Sequence, residues 1–437
     1  MGLFRSFTRV LVSSLVAGLI ASLGTAIPAG AEVTPGVTIN NPLAGPKRQF
    51  VILRQVNTAI RHAHPGSQIR ISSWNVRSPS AVRALIKAHR RGVSVQVIMA
   101  KENASRRVPN GLFRKLRKGL RKGNQGRAPG MGSWVIRCHS SCRGTSGISH
   151  TKYFLFSATG SATSVVMYGS ANLTNLSATN QWNTLRTVFD TRLYHYFANI
   201  FAQERTDYPV PAPFLSADLG GLQMNILPLN QGQQNPILSD LSQVICTGAA
   251  PGYGNGRGAT SIRIAMTATL GKLGISIAQR LHDLQQQGCD IKVVYAVMGN
   301  RILATLRAPG PRGGVPIKQV VKDVDHDGVY DYYLHAKVMA ISGNLGGNPA
   351  ASLSVDGSTN WTPVAMVSDE TYARAADPDS VARYFRFVDW WFGHAPVSWS
   401  YRSARTGSSY NRLAPTDGPG YGARVNGVDP YQKLELS

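Results

Sequence analysis

The pattern of apolar and polar positions predicts the same strand–helix–strand unit twice along the chain. The predicted strands cover residues 69–74 and 93–99 in the first half, and 262–266 and 291–297 in the second. The first intervening helix begins beside Ser78, which is a typical capping residue, and ends at Gly92. The second helix ends at Gly288. Because such a unit connects parallel strands, the sequence predicts an α/β fold with mainly parallel central strands.

Each half continues with the same two short motifs. A His-x-Lys triplet opens an apolar run, and a Gly-Ser-x-Asn segment follows the next predicted strand. Since side chains alternate along a strand, the His and Lys of each triplet lie on one face. The motif residues are His150, Lys152, Ser170 and Asn172 in the first half, and His335, Lys337, Ser358 and Asn360 in the second. Two copies in equivalent places indicate an internal repeat.

With these motifs the sequence resembles the phospholipase D superfamily, whose signature is H-x-K-x4-D followed by G-S-x-N or G-S-x-x-N. The resemblance implies two similar lobes, expected at residues 32–215 and 216–437, whose motifs meet at one central active site. It also implies phosphodiester chemistry through a covalent phosphohistidine, with no metal or other cofactor. The sequence departs from the signature at the aspartate position, which is Ser157 in the first half and Ser342 in the second.

The resemblance also implies roles for single residues. In the family, a polar residue some ten positions after the motif asparagine often contacts a catalytic histidine. Asn183 and Glu370 stand near that place in the two halves. We expect Glu370 to orient and charge-stabilise one imidazole, and Asn183 to be a weaker, neutral partner. By resemblance alone, His150 is the expected nucleophile.

The motif residues suit phosphodiester cleavage by their own chemistry. Displacement at phosphorus develops negative charge on oxygen, and two lysines with two asparagines supply fixed positive charge and hydrogen-bond donors. Two histidines divide the remaining work, because one neutral imidazole attacks phosphorus while the other protonates the leaving alkoxide. We therefore expect the histidines, lysines and asparagines of both motifs to be catalytic.

Charge is distributed unevenly along the chain. The whole sequence carries 47 Lys and Arg against 22 Asp and Glu, whereas residues 32–210 carry 26 against 5. Within this part, leucines four residues apart predict a basic amphipathic helix in the stretch 101–127. Its basic residues are Arg114, Lys115, Arg117, Lys118, Arg121 and Lys122. A surface that binds a polyanion and an ordinary solvated helix face both fit this pattern.

Residues 1–31 have the pattern of a secretory signal peptide. Arg5 and Arg9 precede an apolar stretch at 10–23, which is short for a membrane span, and an Ala-x-Ala cleavage site ends at Ala31. An uncleaved membrane anchor is the alternative. We expect a secreted, extracellular, monomeric protein that begins at Glu32.

Export changes the interpretation of the four cysteines. In an oxidising compartment, Cys138 and Cys142 are expected to close a small disulfide loop, which leaves Cys246 to pair with Cys289. This is one of three possible pairings. A zinc site at the first pair is the alternative, and it would need two further ligands.

A short acidic segment precedes the second histidine. Its residues Asp323, Asp325, Asp327 and Asp331 match the start of a calcium-binding loop. The expected glutamate at the twelfth position is replaced by Leu334. A plain acidic turn is the favoured interpretation, and calcium is the alternative.

These features predict a phosphodiesterase of the phospholipase D type. Release of a phospholipid head group is the expected reaction, by hydrolysis or transfer. A metal-independent nuclease is the alternative that the charge favours, although an anionic membrane surface would also attract a basic protein. A catalytically inactive protein that binds polyanions is the third possibility.

Overall fold

The chain forms two large β-sheets flanked by helices, as seen in the computed structural model, which describes residues 32–396, 424 and 427–434. The predicted signal peptide lies outside these residues. Among the described residues, no helix has the length and apolar character needed to cross a bilayer.

The strands are numbered in chain order. Those of the first half are β1 (Gly36–Ile39), β2 (Gln68–Ser73), β3 (Val76–Arg77), β4 (Ser94–Ala100), β5 (Trp134–Cys138), β6 (Lys152–Thr159), β7 (Ala162–Gly169), β8 (Leu173–Thr174), β9 (Gln181–Trp182) and β10 (Thr184–Phe189). Those of the second half are β11 (Leu215–Asp218), β12 (Leu222–Ile226), β13 (Val244–Ile245), β14 (Ser261–Thr269), β15 (Asp290–Met298), β16 (Ile317–Gln319), β17 (Val321–Lys322), β18 (Tyr332–Leu334), β19 (Lys337–Leu345), β20 (Asn348–Gly357) and β21 (Thr371–Ala375).

The α-helices are numbered in the same way. They are α1 (Pro46–Gln49), α2 (Val51–His62), α3 (Pro79–Arg90), α4 (Gly111–Arg121), α5 (Leu176–Thr179), α6 (Thr191–Glu204), α7 (Pro236–Ser242), α8 (Gly271–Gln286), α9 (Asn300–Leu306) and α10 (Pro378–Gly393).

The two sheets share one topology. The first contains the order β10-β7-β6-β2-β4-β5, and the second contains β21-β20-β19-β14-β15-β16 in equivalent positions. In each, the last three strands are parallel and the other neighbours are antiparallel. The predicted α/β class is confirmed, and the parallel strands predicted around α3 and α8 are present. The sheets are nevertheless mixed and not mainly parallel, because each His-x-Lys strand runs antiparallel to both of its neighbours. The predicted bounds of the two lobes stay a prediction, although β11 at Leu215 already pairs within the second sheet.

Local sequence explains the helix between β2 and β4. The Ser78 side chain accepts a hydrogen bond from the Ala81 amide at the start of α3, and Pro79 occupies the first helical turn. Gly92 follows the helix with a φ of +96°, a conformation that glycine adopts without strain. The apolar positions of α3 then face β2 and β4, as the spacing predicts.

Helices cover both sheets and connect the two halves. Helices α2, α3 and α4 pack on one face of the first sheet, while α6 packs on the other face together with residues of β12 and β21. Helix α10 packs on the second sheet, and this cluster includes Val37 and Trp182 of the first half. The hydrophobic clusters that contain α6 and α10 are therefore each formed by residues of both halves.

A buried ion pair also joins the halves. Arg186 of β10 lies 2.8 Å from a carboxylate oxygen of Asp356 on β20, and both side chains are buried. The same guanidinium donates to Asp377, which caps α10, and to Ser354. Removing the arginine would leave the Asp356 carboxylate buried with its charge uncompensated.

We therefore expect Arg186→Ala to lower the free energy of unfolding by about 3–5 kcal/mol, measured by urea denaturation. Arg192→Ala is the matched control, because the pair of Arg192 with Asp190 is exposed and should contribute under about 1 kcal/mol. An equal loss in the two variants would contradict the prediction.

Both predicted disulfides are present. Cys138 is bonded to Cys142, and Cys246 to Cys289. The small Cys138–Cys142 loop also contacts the second half, because the Cys142 amide and the Ser141 hydroxyl donate to the Asp369 carboxylate. The zinc alternative is wrong for this pair, since both thiols are used in the disulfide.

The predicted basic amphipathic helix is confirmed as α4. Its side chains Phe113, Leu116 and Leu120 are buried, and its six predicted basic side chains are exposed. Close packing against α3 explains the glycine at position 119, because a Cβ atom there would lie 2.7 Å from the Ile86 side chain. The glycine thus allows α4 to approach α3 closely.

Candidate active site

The two motif histidines lie where the halves meet. The backbone amide of His150 donates to the carbonyl of Asp369 in the second half at 3.1 Å. The amide of His335 donates to the carbonyl of Trp182 in the first half at 2.9 Å. Each histidine lies two residues before its strand, β6 or β19, so both are held at strand ends by the backbone of the opposite half.

The side-chain partners of the histidines are also exchanged between the halves. Nδ1 of His150 lies 2.7 Å from Oε1 of Glu370, and Nδ1 of His335 lies 2.8 Å from Oδ1 of Asn183. All four side chains are buried. We call this arrangement the crossed pairing. A partner on Nδ1 fixes the tautomer and leaves Nε2 as the reacting nitrogen.

The motif serines orient these partners. Ser170 donates to Oδ1 of Asn183 at 2.8 Å, and Ser358 donates to Oε2 of Glu370. Each serine therefore supports the partner residue of its own half, which in turn contacts the histidine of the other half. The predicted supporting residues occupy this position in both halves.

The lysines are the first residues of β6 and β19 and lie beside the histidines. Nζ of Lys152 donates to the His150 carbonyl at 2.5 Å. Nζ of Lys337 donates to the His335 carbonyl at 2.9 Å and to Thr267 at 2.8 Å. Both lysines are buried, as are Asn172 and Asn360 of the Gly-Ser-x-Asn turns.

The pKa values of both histidines are lowered by burial and by the lysines of both motif sets. Burial lowers the pKa of His150 well below its usual value, and the charges of Lys152, Lys337 and His335 lower it further. Burial also lowers the pKa of His335, and again both lysines add to the shift. Each imidazole therefore experiences the lysines of both halves. Both imidazoles are neutral near pH 7, as a nitrogen nucleophile requires.

The carboxylate partner is perturbed in the opposite direction. Burial raises the pKa of Glu370 to about 8, although the charge of Lys152 and the hydrogen bond from Ser358 act against the shift. Below about pH 8 the Glu370 carboxyl is therefore mostly protonated and donates to Nδ1 of His150, which leaves the ring proton on Nε2. When Glu370 is ionised, Nδ1 of His150 donates to it and Nε2 carries a lone pair.

A buried charged cluster behind His150 was missed by sequence reasoning. Asp369 lies next to Glu370, and burial together with the nearby Glu204 raises the pKa of Asp369 to about 7. Arg143 is fully buried close to both carboxylates. The scarcity of acidic residues in residues 32–210 was the available signal, because Glu204 is one of only five.

An aromatic side chain next to the site was also missed. The Trp74 ring, just after β2, lies edge-on to the His150 imidazole with 6.1 Å between centroids. Its Nε1 donates to Glu102 at 3.2 Å, and the side chain is only partly buried. Trp74 therefore lies between the buried histidine and the protein surface.

The positions without the signature aspartate lie away from the histidines. Ser157 and Ser342 are five residues beyond the lysines on β6 and β19, a distance of about 17 Å along a strand. The Ser157 hydroxyl accepts from the Gln68 amide at 2.8 Å, and the Ser342 hydroxyl accepts from the Gly254 amide at 3.1 Å. Both serines thus satisfy backbone groups at the far ends of their strands.

The acidic segment forms a turn near the C-terminal part of the chain. Carboxylate oxygens of Asp323, Asp325 and Asp327 lie within 4.8 Å of one another. Asp323 accepts hydrogen bonds from two amides of its own loop, and Asp331 pairs with Lys433 at 2.8 Å. The Lys433 ammonium thus already supplies positive charge beside this turn.

Comparison with known proteins supports the resemblance. Residues 56–205 match the family model described as cardiolipin synthase, PLD-like domain. The sequence has no match among curated proteins.

Two solved structures share the fold. Phosphatidylserine synthase from Haemophilus influenzae Rd KW20 superposes with a TM-score of 0.52 at 11% identity, over 79% of this chain and 85% of its own. Polyphosphate kinase from Porphyromonas gingivalis gives 0.51 at 14% identity, over 82% of this chain and 50% of its own. This chain therefore spans about half the length of that kinase. Residues 56–205 are therefore similar to a PLD-like domain, and the chain shares its fold with these two structures, in agreement with the resemblance of the duplicated motifs to the phospholipase D superfamily.

Proposed function

We propose that the chain is a phosphodiesterase that works in two steps through a phosphohistidine on His150. The crossed pairing carries the proposal. It holds two buried imidazoles with fixed tautomers between two lysines, which is the set of groups that a double displacement at phosphorus needs.

In the first step, Nε2 of His150 forms a bond to phosphorus and the bond to the leaving alkoxide breaks. His335 transfers its Nε2 proton to that alkoxide. The negative charge of the bound phosphodiester favours the protonated form of His335. As the nitrogen–phosphorus bond forms, the His150 ring gains positive charge, which Glu370 stabilises better than the neutral Asn183 would.

In the second step, the neutral His335 accepts a proton from water as its oxygen attacks phosphorus. The nitrogen–phosphorus bond then breaks and returns the electron pair to His150. An alcohol in place of water gives transfer instead of hydrolysis. Lys152 and Lys337, with the amides of Asn172 and Asn360, neutralise the charge on the phosphoryl oxygens in both steps.

A secreted location is part of this proposal. All four cysteines are used in disulfides, which form and persist in oxidising compartments. The catalytic groups act on the phosphodiester itself, which phospholipids and nucleic acids share. The expected phospholipid substrate and the alternative nucleic-acid substrate therefore suit the same chemistry. Recognition outside the catalytic groups must decide between them.

The test is to trap the intermediate. The purified protein would be mixed with bis-p-nitrophenyl phosphate, quenched in alkali, digested and analysed by mass spectrometry. We expect a p-nitrophenyl phosphoryl adduct on the peptide that contains His150. An adduct on His335 would reverse the two roles, and cleavage without any adduct would exclude the covalent route.

Chelation is expected to leave turnover unchanged. The lysines and asparagines of the site supply the positive charge and donors that a cation would otherwise provide. Turnover of the same substrate would be measured with and without excess EDTA, together with the thermal midpoint. Complete loss that calcium or zinc restores would contradict the prediction, whereas a lower midpoint with activity retained would indicate a structural calcium at Asp323–Asp331.

A further inference from the structure

Three neighbouring helices on the outer side of the first sheet carry exposed cations in stripes. Helices α2, α3 and α4 pack side by side, and their cations recur at three-, four- or seven-residue spacing, which places them on one helix face. We call this surface the cationic face. Its residues are Arg54 and Arg61 on α2, Arg83, Lys87 and Arg90 on α3, and Arg114, Lys118 and Arg121 on α4, all exposed.

The cationic face has no acidic counterpart in this part of the sequence. Between residues 33 and 189, Glu102 is the only Asp or Glu, and its carboxylate accepts from Trp74. The described residues give none of these eight cations an ion pair. A solvated helix face normally mixes both signs of charge. A surface of one sign attracts a polyanion.

The helices of the cationic face extend away from the active site. Helix α3 starts five residues after β2, whose last residue pairs with Lys152, and Gly92 beyond α3 contacts Gly66 at the opposite end of β2. Helix α4 runs the same way, because its cap Asn110 contacts Val76 and the following Lys122 contacts His89 at the end of α3.

Helix α2 has the same direction. Gln49, two residues before α2, contacts Asn40, which accepts from the Asn183 amide next to the site. Its last residue, His62, contacts Gly160 at the far hairpin of β6 and β7. The cationic face therefore lies along the side of the lobe, whereas the histidines lie at the end of the same strands.

This orientation distinguishes a membrane from a nucleic acid. A bilayer that presents a lipid to the strand ends would lie across the helix axes, not along them. The twelve residues of α3 span about 18 Å, whereas the Debye length at physiological ionic strength is about 8 Å. Cations at the far ends, such as Arg90 and Arg121, would not contribute to binding that bilayer.

The apolar side chains favour the same conclusion. A helix that lies in a membrane interface inserts large apolar residues. Within the described residues, none of the large exposed apolar side chains lies on α2, α3 or α4. The exposed groups that remain are donors for phosphate oxygens, which hold a nucleic acid without reading its sequence.

We propose that the cationic face binds the phosphate backbone of a nucleic acid that continues outward from the active site. Two further exposed cations occur in the segments around α3: Arg77 lies two residues before α3 and donates to the Pro109 carbonyl, and Lys101 precedes Glu102, which accepts from Trp74. The proposal rests on the proposed phosphodiesterase function, because it assigns nucleic acid as the substrate class of that site.

The test compares two variants of the full chain with equal charge. The face variant replaces Arg83, Lys87 and Arg90 of α3 by glutamine, and the control variant replaces the exposed Arg257, Arg383 and Arg386 of the second half. Binding to a labelled thirty-base-pair duplex would be measured over a range of salt. We expect the face variant to bind at least about tenfold more weakly, with a salt slope flatter by about three units. The control should match the wild type.

A second variant examines α4 alone, with Arg114, Lys115, Arg117, Lys118, Arg121 and Lys122 replaced by glutamine. It should lose DNA affinity in the same manner as the α3 variant. Neither should change binding to phosphatidylglycerol vesicles by more than the control does. DNA binding that depends on α4 but not on α3, or loss of vesicle binding with DNA binding intact, would overturn the proposal.

Turnover of bis-p-nitrophenyl phosphate separates this inference from the catalytic proposal. This small substrate cannot reach the cationic face, so the α3 variant should cleave it at the wild-type rate. If the wild type binds DNA with the expected slope but cleaves neither substrate, the catalytic proposal fails and the binding surface stands. If it cleaves the small substrate and the α3 variant binds DNA normally, the surface is wrong and the chemistry stands.

Discussion

Replacing either His150 or His335 by alanine is expected to lower turnover by about 10³-fold to 10⁴-fold while the protein stays folded. Each imidazole has a role that the other cannot take, because one forms the bond to phosphorus and the other moves the proton. The variants would be measured with bis-p-nitrophenyl phosphate at saturating concentration, and folding by circular dichroism.

His195→Ala is the control for this experiment, because His195 is exposed on α6, away from both motifs. It should keep wild-type turnover. Near wild-type turnover in either active-site variant would show that the two-histidine mechanism is wrong. Because p-nitrophenolate leaves without a proton, His335→Ala should still release a first burst of p-nitrophenolate and lose turnover in the second step, in which His335 accepts the proton from water.

The second large effect is expected from Glu370→Gln, which should lower kcat/KM by about 10²-fold to 10⁴-fold. The amide of glutamine can donate to Nδ1 of His150, and this stabilises the tautomer in which Nε2 carries the proton and cannot attack. The glutamine also removes the negative charge that, in the proposed mechanism, stabilises the phosphohistidine.

The pH profile provides the specific readout for this variant. Burial raises the pKa of Glu370 to about 8, so in the wild type the reactive, deprotonated pair forms as pH rises through that value. We expect kcat/KM of the wild type to increase with pH up to about 8. This ascending limb of the pH profile should be absent from Glu370→Gln. Asp379→Asn, at an exposed carboxylate on α10, should keep it. A limb that persists in Glu370→Gln would assign the titration to another group.

Much of the fold and the candidate site could be predicted because it depends on local patterns. The caps at Ser78 and Gly92, the apolar spacing of α3 and the repeat of the motifs are all encoded within short segments. The two disulfides were predictable because four cysteines allow only three pairings and proximity in sequence favours one of them. The buried side of α4 was predictable from helix periodicity, because its apolar residues recur every three or four positions.

The crossed pairing could not be predicted, because it depends on contacts between residues far apart in sequence. Asn183 and Glu370 were recognised as partners, but nothing local says that Glu370 contacts His150 some 220 positions away. Asp369 and Arg143 were missed for the same reason. Periodicity showed which side of α3 is exposed, but not that α2 and α4 lie beside it and form one surface with it.

The crossed pairing constrains how the chain could be divided or could diverge in evolution. A fragment that ends before residue 215 would keep His150 but lose the residue that fixes its tautomer, and the complementary fragment would have the same defect at His335. Neither half is a minimal enzyme, and activity from separate fragments requires that they reassociate. A substitution of Glu370 likewise alters the tautomer of the histidine in the other half. The two repeats therefore cannot accumulate substitutions independently at these positions.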